Sequence, residues 1–329
     1  MDSILQSPPA VVQQDLDALN DGLTDAIPKK RRSNLLIGTW NIRKFGGLTK
    51  EWLPKGDYSP KRDLRSLRII TDIISRFDVM AIQETSGDLT ALLDAMQYLG
   101  SHWSFLMTDV TLGSAGNNER LAYIFDTRRV QPSGLACEVV IPPEWVSGND
   151  PKAVIDRQFV RTPYGVSFRA GEESFILLTA HIDYGDQSSE RIPELRAIAQ
   201  WMYDWAKRSN RIHHNLLVLG DFNIDRQGDA LWQAFTSTNL FVPEDLQNVK
   251  RSIFIKEGED PRTDKFYDQI AWFNSSSGAA QLQMEYLRGG SFDFLPYIFR
   301  DQTISRTAIS HRVSDHYPLW VEFGRKLLP

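Results

Sequence analysis

The feature that most constrains this chain is an apolar stretch that leads directly into closely spaced polar residues. Residues 217–225 read L-V-L-G-D-F-N-I-D, so that Asp221 and Asn223 follow a short apolar run and a glycine. Because successive side chains of a β-strand alternate between its two faces, a strand here places both polar side chains on one face at its end. A carboxylate beside an amide can hold a phosphate-bound metal ion, or the water that attacks a phosphate.

The same design, an apolar run followed by a polar residue, recurs along the chain. Asn41 follows L-L-I-G-T-W, Glu84 follows V-M-A-I-Q, and His181 follows I-L-L-T-A. One such run indicates only a strand that meets solvent, but several in one chain predict strand ends that converge on one site. The further polar candidates are Glu119, Asp268, Asp315 and His316.

Segments with strand and helix patterns follow one another over most of the chain. Apolar residues at helical spacing predict helices over about 64–76, 88–98 and 193–206. Short apolar runs between Gly- and Asn-rich turns predict strands that pair largely in antiparallel fashion, and the segment around Gly289 and Gly290 is predicted to be a long loop. We therefore predict an α/β (α+β) fold, a four-layer sandwich of two packed β-sheets flanked by helices.

Length and composition bound the domain organisation. The 329 residues are 42% hydrophobic and 24% charged, which is typical of a globular protein with a substantial core. No linker interrupts the body, so residues 34–325 are predicted to form one domain. Residues 1–33 are predicted to be a flexible extension, and 326–329 a short tail. The basic residues 29–32 are interpreted as a solvated boundary, with a nuclear address or a phosphate anchor as alternatives.

Several classes of protein do not fit this sequence. The single cysteine, Cys137, cannot form an intrachain disulfide and is interpreted as a core residue. No apolar run reaches the roughly 20 residues that span a bilayer, and the first residues lack the features of a signal peptide. We therefore expect a cytoplasmic or otherwise intracellular location, with the nucleus as an open alternative. Because the net charge of the chain is -5, any contact with nucleic acid needs a locally basic patch on the surface.

The candidate site residues are hard oxygen ligands accompanied by histidines. Carboxylates and amides suit Mg²⁺, Mn²⁺ or Ca²⁺ better than Zn²⁺. The signature motifs of zinc peptidases, P-loop nucleotide-binding proteins and serine hydrolases are absent. Phosphodiester hydrolysis needs this combination, because the metal neutralises charge on the phosphoryl oxygens while an imidazole transfers a proton.

Seven short motifs occur in an order that resembles the endonuclease/exonuclease/phosphatase superfamily, and within it the deoxyribonuclease I-type nucleases. They are W-N-I-R-K-F at 40–45, I-Q-E-T at 82–85, N-N-E-R-L-A-Y-I-F at 117–125, A-H-I-D at 180–183, G-D-F-N at 220–223, Y-D-Q-I at 267–270 and S-D-H-Y-P at 314–318. The resemblance covers nearly the whole body of the chain. It implies an enzyme, a Mg²⁺-dependent phosphodiesterase that cuts DNA as an endonuclease, with Mn²⁺ or Ca²⁺ as alternative ions.

The resemblance also implies a role for each matching residue near the metal and the phosphate. Glu84 is the expected principal metal ligand, with Asn41 and Asp315 beside it. Asp221 and Asn223 are expected to position the phosphate, a second metal ion or the nucleophilic water. These roles come from the family pattern and not from the spacing of the residues.

Two histidine–carboxylate pairs are implied in the same way. His316, paired with Asp268, is the expected general base, and His181, paired with Glu119, is expected to protonate the leaving oxygen. The carboxylate behind each imidazole is expected to set its tautomer and to stabilise its charged form. Which histidine is the acid stays open, as does a base role for Asp221.

Two arginines are expected to contact the substrate, and alternative functions stay open. Arg161 and Arg43 are the expected contacts to the substrate phosphate, with a surface charge as the alternative for Arg161. Asn117 stands where secreted nucleases have a tyrosine that enters the minor groove, so that contact with double-stranded DNA is not implied there. The alternatives are the same machinery acting on a phosphoinositide, a sphingolipid or a small nucleotide, and a non-catalytic binding module.

Overall fold

The computed structural model describes residues 5–111, 117–146, 155, 157–207, 215–276, 278–279 and 281–324. Its helices are α1 (Ala10–Ala26), α2 (Leu64–Ile74), α3 (Thr90–Leu99), α4 (Pro143–Val146), α5 (Ile192–Lys207), α6 (Ala230–Phe235), α7 (Glu244–Gln247) and α8 (Arg306–Arg312). Its strands are β1 (Asn34–Phe45), β2 (Val79–Ser86), β3 (Trp103–Met107), β4 (Glu119–Asp126), β5 (Gln131–Glu138), β6 (Tyr164–Ala170), β7 (Glu173–His181), β8 (Leu216–Asp221), β9 (Asp268–Trp272), β10 (Tyr286–Ser291) and β11 (Leu319–Gly324).

The strands form two sheets that pack face to face. One sheet has the order β10-β11-β1-β2-β4-β3, and the other has the order β5-β6-β7-β8-β9. Each sheet contains one parallel pair, β1 with β2 and β7 with β8, and the other pairs are antiparallel. The predicted fold is therefore confirmed, and the sheets are best described as mixed.

Apolar side chains fill both the space between the sheets and the space beneath the helices. Val79 and Tyr123 of the first sheet share a cluster with Val166 and Leu177 of the second. The Tyr123 hydroxyl lies 3.0 Å from the Tyr164 carbonyl and 2.8 Å from the Leu177 carbonyl, and its one proton is shared between these acceptors across the interface. A second cluster lies on the outer face of the first sheet, under α1, α2 and α3. Such burial of both faces explains why the strand sequences are almost continuously apolar.

The N-terminal segment differs from the flexible extension that was expected over 1–33. Residues Ala10–Ala26 form α1, whose Val12, Leu16, Leu19 and Leu23 are fully buried in the second cluster. Asp15 of this helix also forms an ion pair with the buried Arg65 of α2. The apolar spacing along α1 was weak in the sequence because it is interrupted by polar residues, yet it suffices for one packed face. Residues 1–4 and the predicted tail lie outside the described residues.

The prediction of a long loop around Gly289 and Gly290 was also wrong. Residues Tyr286–Ser291 form β10, an edge strand that pairs antiparallel with β11. Side chains at both glycines would collide with Trp320 or its backbone, so the close approach of β11 accounts for them. None of the helices in the described ranges is both long and apolar enough to cross a membrane.

One end of the sandwich collects the polar strand ends. The parallel strands β1 and β2 end there, as do β7 and β8, because each pair runs in one direction. The strands β4 and β9 run the opposite way, so their first residues reach the same end. The side chains brought there are Asn41, Glu84, Glu119, His181, Asp221 and Asp268.

Candidate active site

Two buried histidine–carboxylate pairs form the centre of the candidate site. The Nδ1 atom of His181 lies 2.6 Å from Glu119 Oε1, and the Nδ1 atom of His316 lies 2.7 Å from Asp268 Oδ2. The four side chains are almost entirely buried. Because each Nδ1 donates to its carboxylate, the Nε2 atom of each ring is directed toward the site.

Asp221 lies between these two imidazoles. Its Oδ2 atom is 3.6 Å from His181 Nε2 and 3.8 Å from His316 Nε2. The Asn223 backbone N–H donates to Asp221 Oδ1 at 3.0 Å, and the Asn41 side-chain amide donates to Oδ2 at 2.9 Å. Asp221 therefore holds a fixed position from which one oxygen faces both rings.

The backbone around Asp221 explains the G-D-F-N sequence. Gly220 has φ 145°, and a Cβ atom there would lie 2.1 Å from the Ala180 carbonyl oxygen on the neighbouring strand β7. Only glycine lets β7 and β8 approach closely enough to place His181 beside Asp221. Asn223 has φ 49°, a conformation that asparagine adopts more readily than most residues, and its side-chain amide donates to the Ile182 carbonyl at 2.7 Å.

Glu84 is joined to Asp221 through Asn41. The Asn41 side-chain amide donates to Glu84 Oε1 at 3.0 Å as well as to Asp221, and the Lys44 backbone N–H donates to Glu84 Oε2 at 3.0 Å. Glu84 itself has φ 61°. A non-glycine residue in this conformation is uncommon and often marks a functional position, where the fold holds it against local strain.

The mutual charges of these groups shift their titration. Burial opposes the charging of His316, but Asp268 and Asp221 outweigh it and hold the pKa of His316 well above its ordinary value. The pKa of His181 is raised in the same way, with burial opposed mainly by Glu119. The pKa of Asp221 is lowered, because the two imidazoles overcome the effect of its burial. Burial dominates at Asp268 and raises its pKa to about 6.

The residues present fit a hard divalent cation. The carbonyl oxygen of the Asn41 side chain, Oδ1, is buried and has no hydrogen-bond partner among the described residues. Burial acts to raise the pKa of the neighbouring Glu84, but His181, the Lys44 N–H and Asn41 outweigh it and hold this pKa below its ordinary value. A buried oxygen without a partner beside a carboxylate is a donor set that Mg²⁺ favours.

A second group of possible ligands lies close by. Ligand atoms of Asp221, Asp268 and His316 all lie within 4.8 Å of one another, and Asp268 Oδ1 has no hydrogen-bond partner in the described part of the chain. Because His316 Nδ1 and Asp268 Oδ2 already bind each other, a cation here would be held through Asp268 Oδ1, with His316 Nε2 and Asp221 Oδ2 beside it. The site thus offers two adjoining positions for a cation.

The two predicted substrate arginines and the predicted metal ligand Asp315 take part in ion pairs. Arg161 is buried, and its guanidinium lies 3.1 Å from Glu119 Oε1 and 3.4 Å from Asp183 Oδ1. Arg43 lies 3.4 Å from Asp315 Oδ2 and donates to Ser310 Oγ at 2.9 Å. Asp315 is therefore directed to Arg43 in the described residues, and its role as a metal ligand stays a prediction.

Sequence reasoning missed two arginines that support the site. Arg62 donates to the backbone carbonyls of Arg43 and Lys44 on one side and of Arg312 and Val313 on the other. Arg251 donates to the Asp268 carbonyl at 2.6 Å, next to the His316 pair. Neither belongs to a recognisable motif, because both donate to backbone carbonyls, and every residue type carries that acceptor.

Two aromatic residues were missed as well. The Tyr267 ring lies 5.7 Å from the His316 ring, and Tyr184 contacts Tyr267 with 6.4 Å between ring centroids. Tyr184 directly follows the A-H-I-D motif at 180–183, and Tyr267 is the first residue of the Y-D-Q-I motif at 267–270. Their adjacency to His181 and Asp268 in the sequence was a signal that could have found them.

Comparisons with known proteins agree with this site. A model of the Endonuclease/Exonuclease/phosphatase family matches residues 38–316, which contain every residue of the two histidine pairs. A protein named deoxyribonuclease from Thioalkalivibrio sp. (strain K90mix) is 25% identical over 308 residues, covering 90% of this chain and 73% of its relative.

Solved structures of low sequence identity share the fold. A mannosyl-6-phosphatase of Bacteroides thetaiotaomicron aligns with a TM-score of 0.55 at 14% identity, covering 88% of this chain and 99% of the other. D. rerio TDP2, complexed with a single strand DNA product, aligns with a TM-score of 0.54 at 13% identity, covering 89% and 100%. These similarities show the architecture, and at this identity they carry no information about substrate.

Proposed function

This chain belongs to the Endonuclease/Exonuclease/phosphatase family, and from that premise we propose that it is a divalent-metal-dependent phosphodiesterase that cuts DNA. The observation that carries the proposal is the convergence of two buried histidine–carboxylate pairs on Asp221. A purely structural histidine has no need of a buried carboxylate behind it and a second carboxylate in front. The arrangement supplies one proton-transfer group on each side of a central carboxylate.

Glu84 and Asn41 are the residues that we propose hold the cation. Asn41 Oδ1 is buried without a hydrogen-bond partner among the described residues, and the Glu84 carboxylate lies on the other side of the same amide. When bound, a divalent ion neutralises charge on the phosphoryl oxygens and orients the phosphate. The second position, at Asp221 and Asp268, is the alternative site for an ion.

Proton transfer is assigned to the two histidines. His316 accepts a proton from the attacking water at Nε2, and Asp268 stabilises the resulting imidazolium through Nδ1. His181 donates its Nε2 proton to the leaving oxygen, and Glu119 holds its ring in place. Asp221, which faces both Nε2 atoms, orients the water between them.

DNA is proposed as the substrate on two grounds. The relative that matches 90% of this chain is named deoxyribonuclease. In addition, the buried Arg161 guanidinium lies beside His181 and its carboxylate partner, where it can contact a phosphodiester oxygen. Arg43, whose side chain is partly exposed next to Asp315, is the proposed second phosphate contact.

An activity panel tests this proposal. Purified protein is incubated with supercoiled plasmid, a single-stranded oligonucleotide, inositol phosphates, a sugar phosphate and a mononucleotide, each with Mg²⁺, Mn²⁺, Ca²⁺ or EDTA. We expect nicking and strand cleavage with Mg²⁺ or Mn²⁺ that EDTA abolishes, without release of inorganic phosphate. Preferential phosphate release from a monoester would assign the same machinery to a phosphatase.

Point variants separate catalysis from binding. His181→Ala and His316→Ala should each lower kcat by several orders of magnitude while the far-UV circular dichroism spectrum stays unchanged. His102→Ala serves as the control, because His102 lies at the opposite end of the first sheet, next to Trp103. Full activity in either site variant contradicts the proposed mechanism.

A further inference from the structure

An exposed tyrosine lies at the mouth of the candidate site. Tyr184 follows His181 by three residues, and 52% of its surface is accessible to solvent. Most large aromatic side chains in the described part of the chain are buried. Tyr184 and Phe241 are the exposed ones there, and Tyr184 has the larger exposed fraction. An exposed tyrosine ring beside such a site offers an apolar face and a polar hydroxyl for contact with a ligand.

The ring of Tyr184 is held in a fixed orientation. The Arg191 guanidinium lies over the ring, 4.5 Å from its centroid. Arg191 is itself buried and immobilised, because it donates to the Asn223 carbonyl and pairs with Asp225 at 3.0 Å. A cation over one ring face stabilises the aromatic group and directs the remaining exposed surface of the ring toward solvent.

Tyr184 is also connected to the catalytic histidine. Its ring packs edge-to-face against Tyr267, with 6.4 Å between centroids, and the Tyr267 ring lies 5.7 Å from the His316 ring. Tyr267 directly precedes Asp268, the partner of His316. Two ring-to-ring contacts thus connect the exposed Tyr184 ring with the imidazole of His316.

We propose that Tyr184 is a stacking platform for a nucleobase of an unpaired strand, next to the phosphodiester that is cut. The proposal rests on the proposed function and specifies its substrate. Base-on-aromatic stacking needs only an open ring face, and such stacking is tolerant of base identity. A base inside a duplex is already stacked on both sides, so Tyr184 can receive only a base that has left the stack.

The Tyr184 ring lies a short distance from the candidate site. Centroid distances of 6.4 Å and 5.7 Å join the Tyr184 ring to the His316 ring through Tyr267, so that a base on Tyr184 lies close to a phosphodiester bound at His316. Arg191, which supports the ring, also contacts the backbone of Asn223 in the G-D-F-N segment. A base on Tyr184 therefore helps to fix the register of the strand in the site.

Cleavage kinetics on defined oligonucleotides test the platform. Tyr184→Ala should lower kcat/KM on a single-stranded oligonucleotide by roughly 5- to 150-fold, mainly through a higher KM, which is the range that loss of one stacked base produces. Tyr184→Phe retains the ring and should stay within about twofold of the wild type. Phe241→Ala, an exposed aromatic residue packed on Trp272 at the far end of β9, is the matched control.

Abasic substrates distinguish stacking from a disturbed site. An abasic position is moved one nucleotide at a time along the oligonucleotide, near the cleaved bond. At the position read by Tyr184, the wild type should fall to the level of Tyr184→Ala, and the variant should lose nothing further. A variant that is equally impaired on the abasic strand would show that removal of the ring displaces Arg191 and Asn223, and would overturn the platform.

Failure of the platform and failure of the proposed function give different results. If the wild type cuts oligonucleotides and Tyr184→Ala cuts them equally well, the platform is refuted while the nuclease activity stands. If the wild type cuts no nucleic acid with any metal, both are refuted. A preference of the wild type for single over double strands that disappears in Tyr184→Ala supports the platform directly.

Discussion

Replacement of Arg62 by methionine should destabilise the protein and its candidate site together. The Arg62 side chain is 3% exposed and donates to the backbone carbonyls of Arg43, Lys44, Arg312 and Val313, at distances between 2.8 and 3.2 Å. The first two residues follow Asn41, and the last two precede the S-D-H-Y-P segment. One guanidinium therefore joins the two segments that carry the metal-side and histidine-side residues.

The magnitude follows from the contacts of the guanidinium. A hydrogen bond donated by a charged group contributes roughly 1.5–3 kcal/mol, so that four of them set an upper bound of about 6–12 kcal/mol. Burial lowers the pKa of Arg62 from 12.5 to about 10, which offsets about 3 kcal/mol. Methionine recovers some packing, while the four carbonyls lose their donor. We therefore expect a loss of about 3–5 kcal/mol in the free energy of unfolding.

Urea denaturation followed by tryptophan fluorescence measures this loss. Arg262→Met is the control, because Arg262 is 48% exposed and its partner Asp260 is 40% exposed, so that loss of this surface pair should leave the free energy of unfolding nearly unchanged. Plasmid nicking below the unfolding transition should also fall in the Arg62 variant, since the two segments separate. A loss below about 1 kcal/mol with normal nicking would refute the argument that Arg62 joins them.

Three further changes have defined consequences. Glu84→Gln should raise the Mg²⁺ concentration for half-maximal activity by tenfold or more, because one ligand charge is lost. Asp268→Asn should move the acidic limb of the kcat/KM profile to lower pH. Asp268 raises the pKa of His316, and a general base must lose its proton to act. Gly220→Ala should destabilise the fold by roughly 2–5 kcal/mol, because its Cβ would meet the Ala180 carbonyl at 2.1 Å.

For each of these three variants, one result would contradict the prediction. An unchanged Mg²⁺ requirement in Glu84→Gln would move the cation to the position between Asp221 and Asp268. An acidic limb that shifts to higher pH, or not at all, would remove His316 from the role of base. Thermal unfolding of Gly220→Ala at the wild-type temperature would mean that β7 and β8 can separate at this point without cost.

The sequence was most informative where one residue type is required at the end of a strand. Asn41, Glu84, His181 and Asp221 follow apolar runs, and the structure brings all four to one end of the sandwich. It was least informative where a weak pattern gains stability only from a neighbour. The helix α1 and the edge strand β10 are such cases, since the first needs the outer face of a sheet and the second needs β11.

The sequence by itself determined the kinds of group in the site, since hard oxygen ligands and histidines are read directly from strand ends. The sequence also showed a glycine directly before Asp221, but its close contact with Ala180 of β7 is a property of the tertiary structure. Only the tertiary structure decided which groups face one another: that Asp221 serves both imidazoles, that Asp315 pairs with Arg43, and that Arg62 joins two remote segments. These relations depend on sheet register and on buried contacts between distant residues, and local patterns along the chain do not encode such distances.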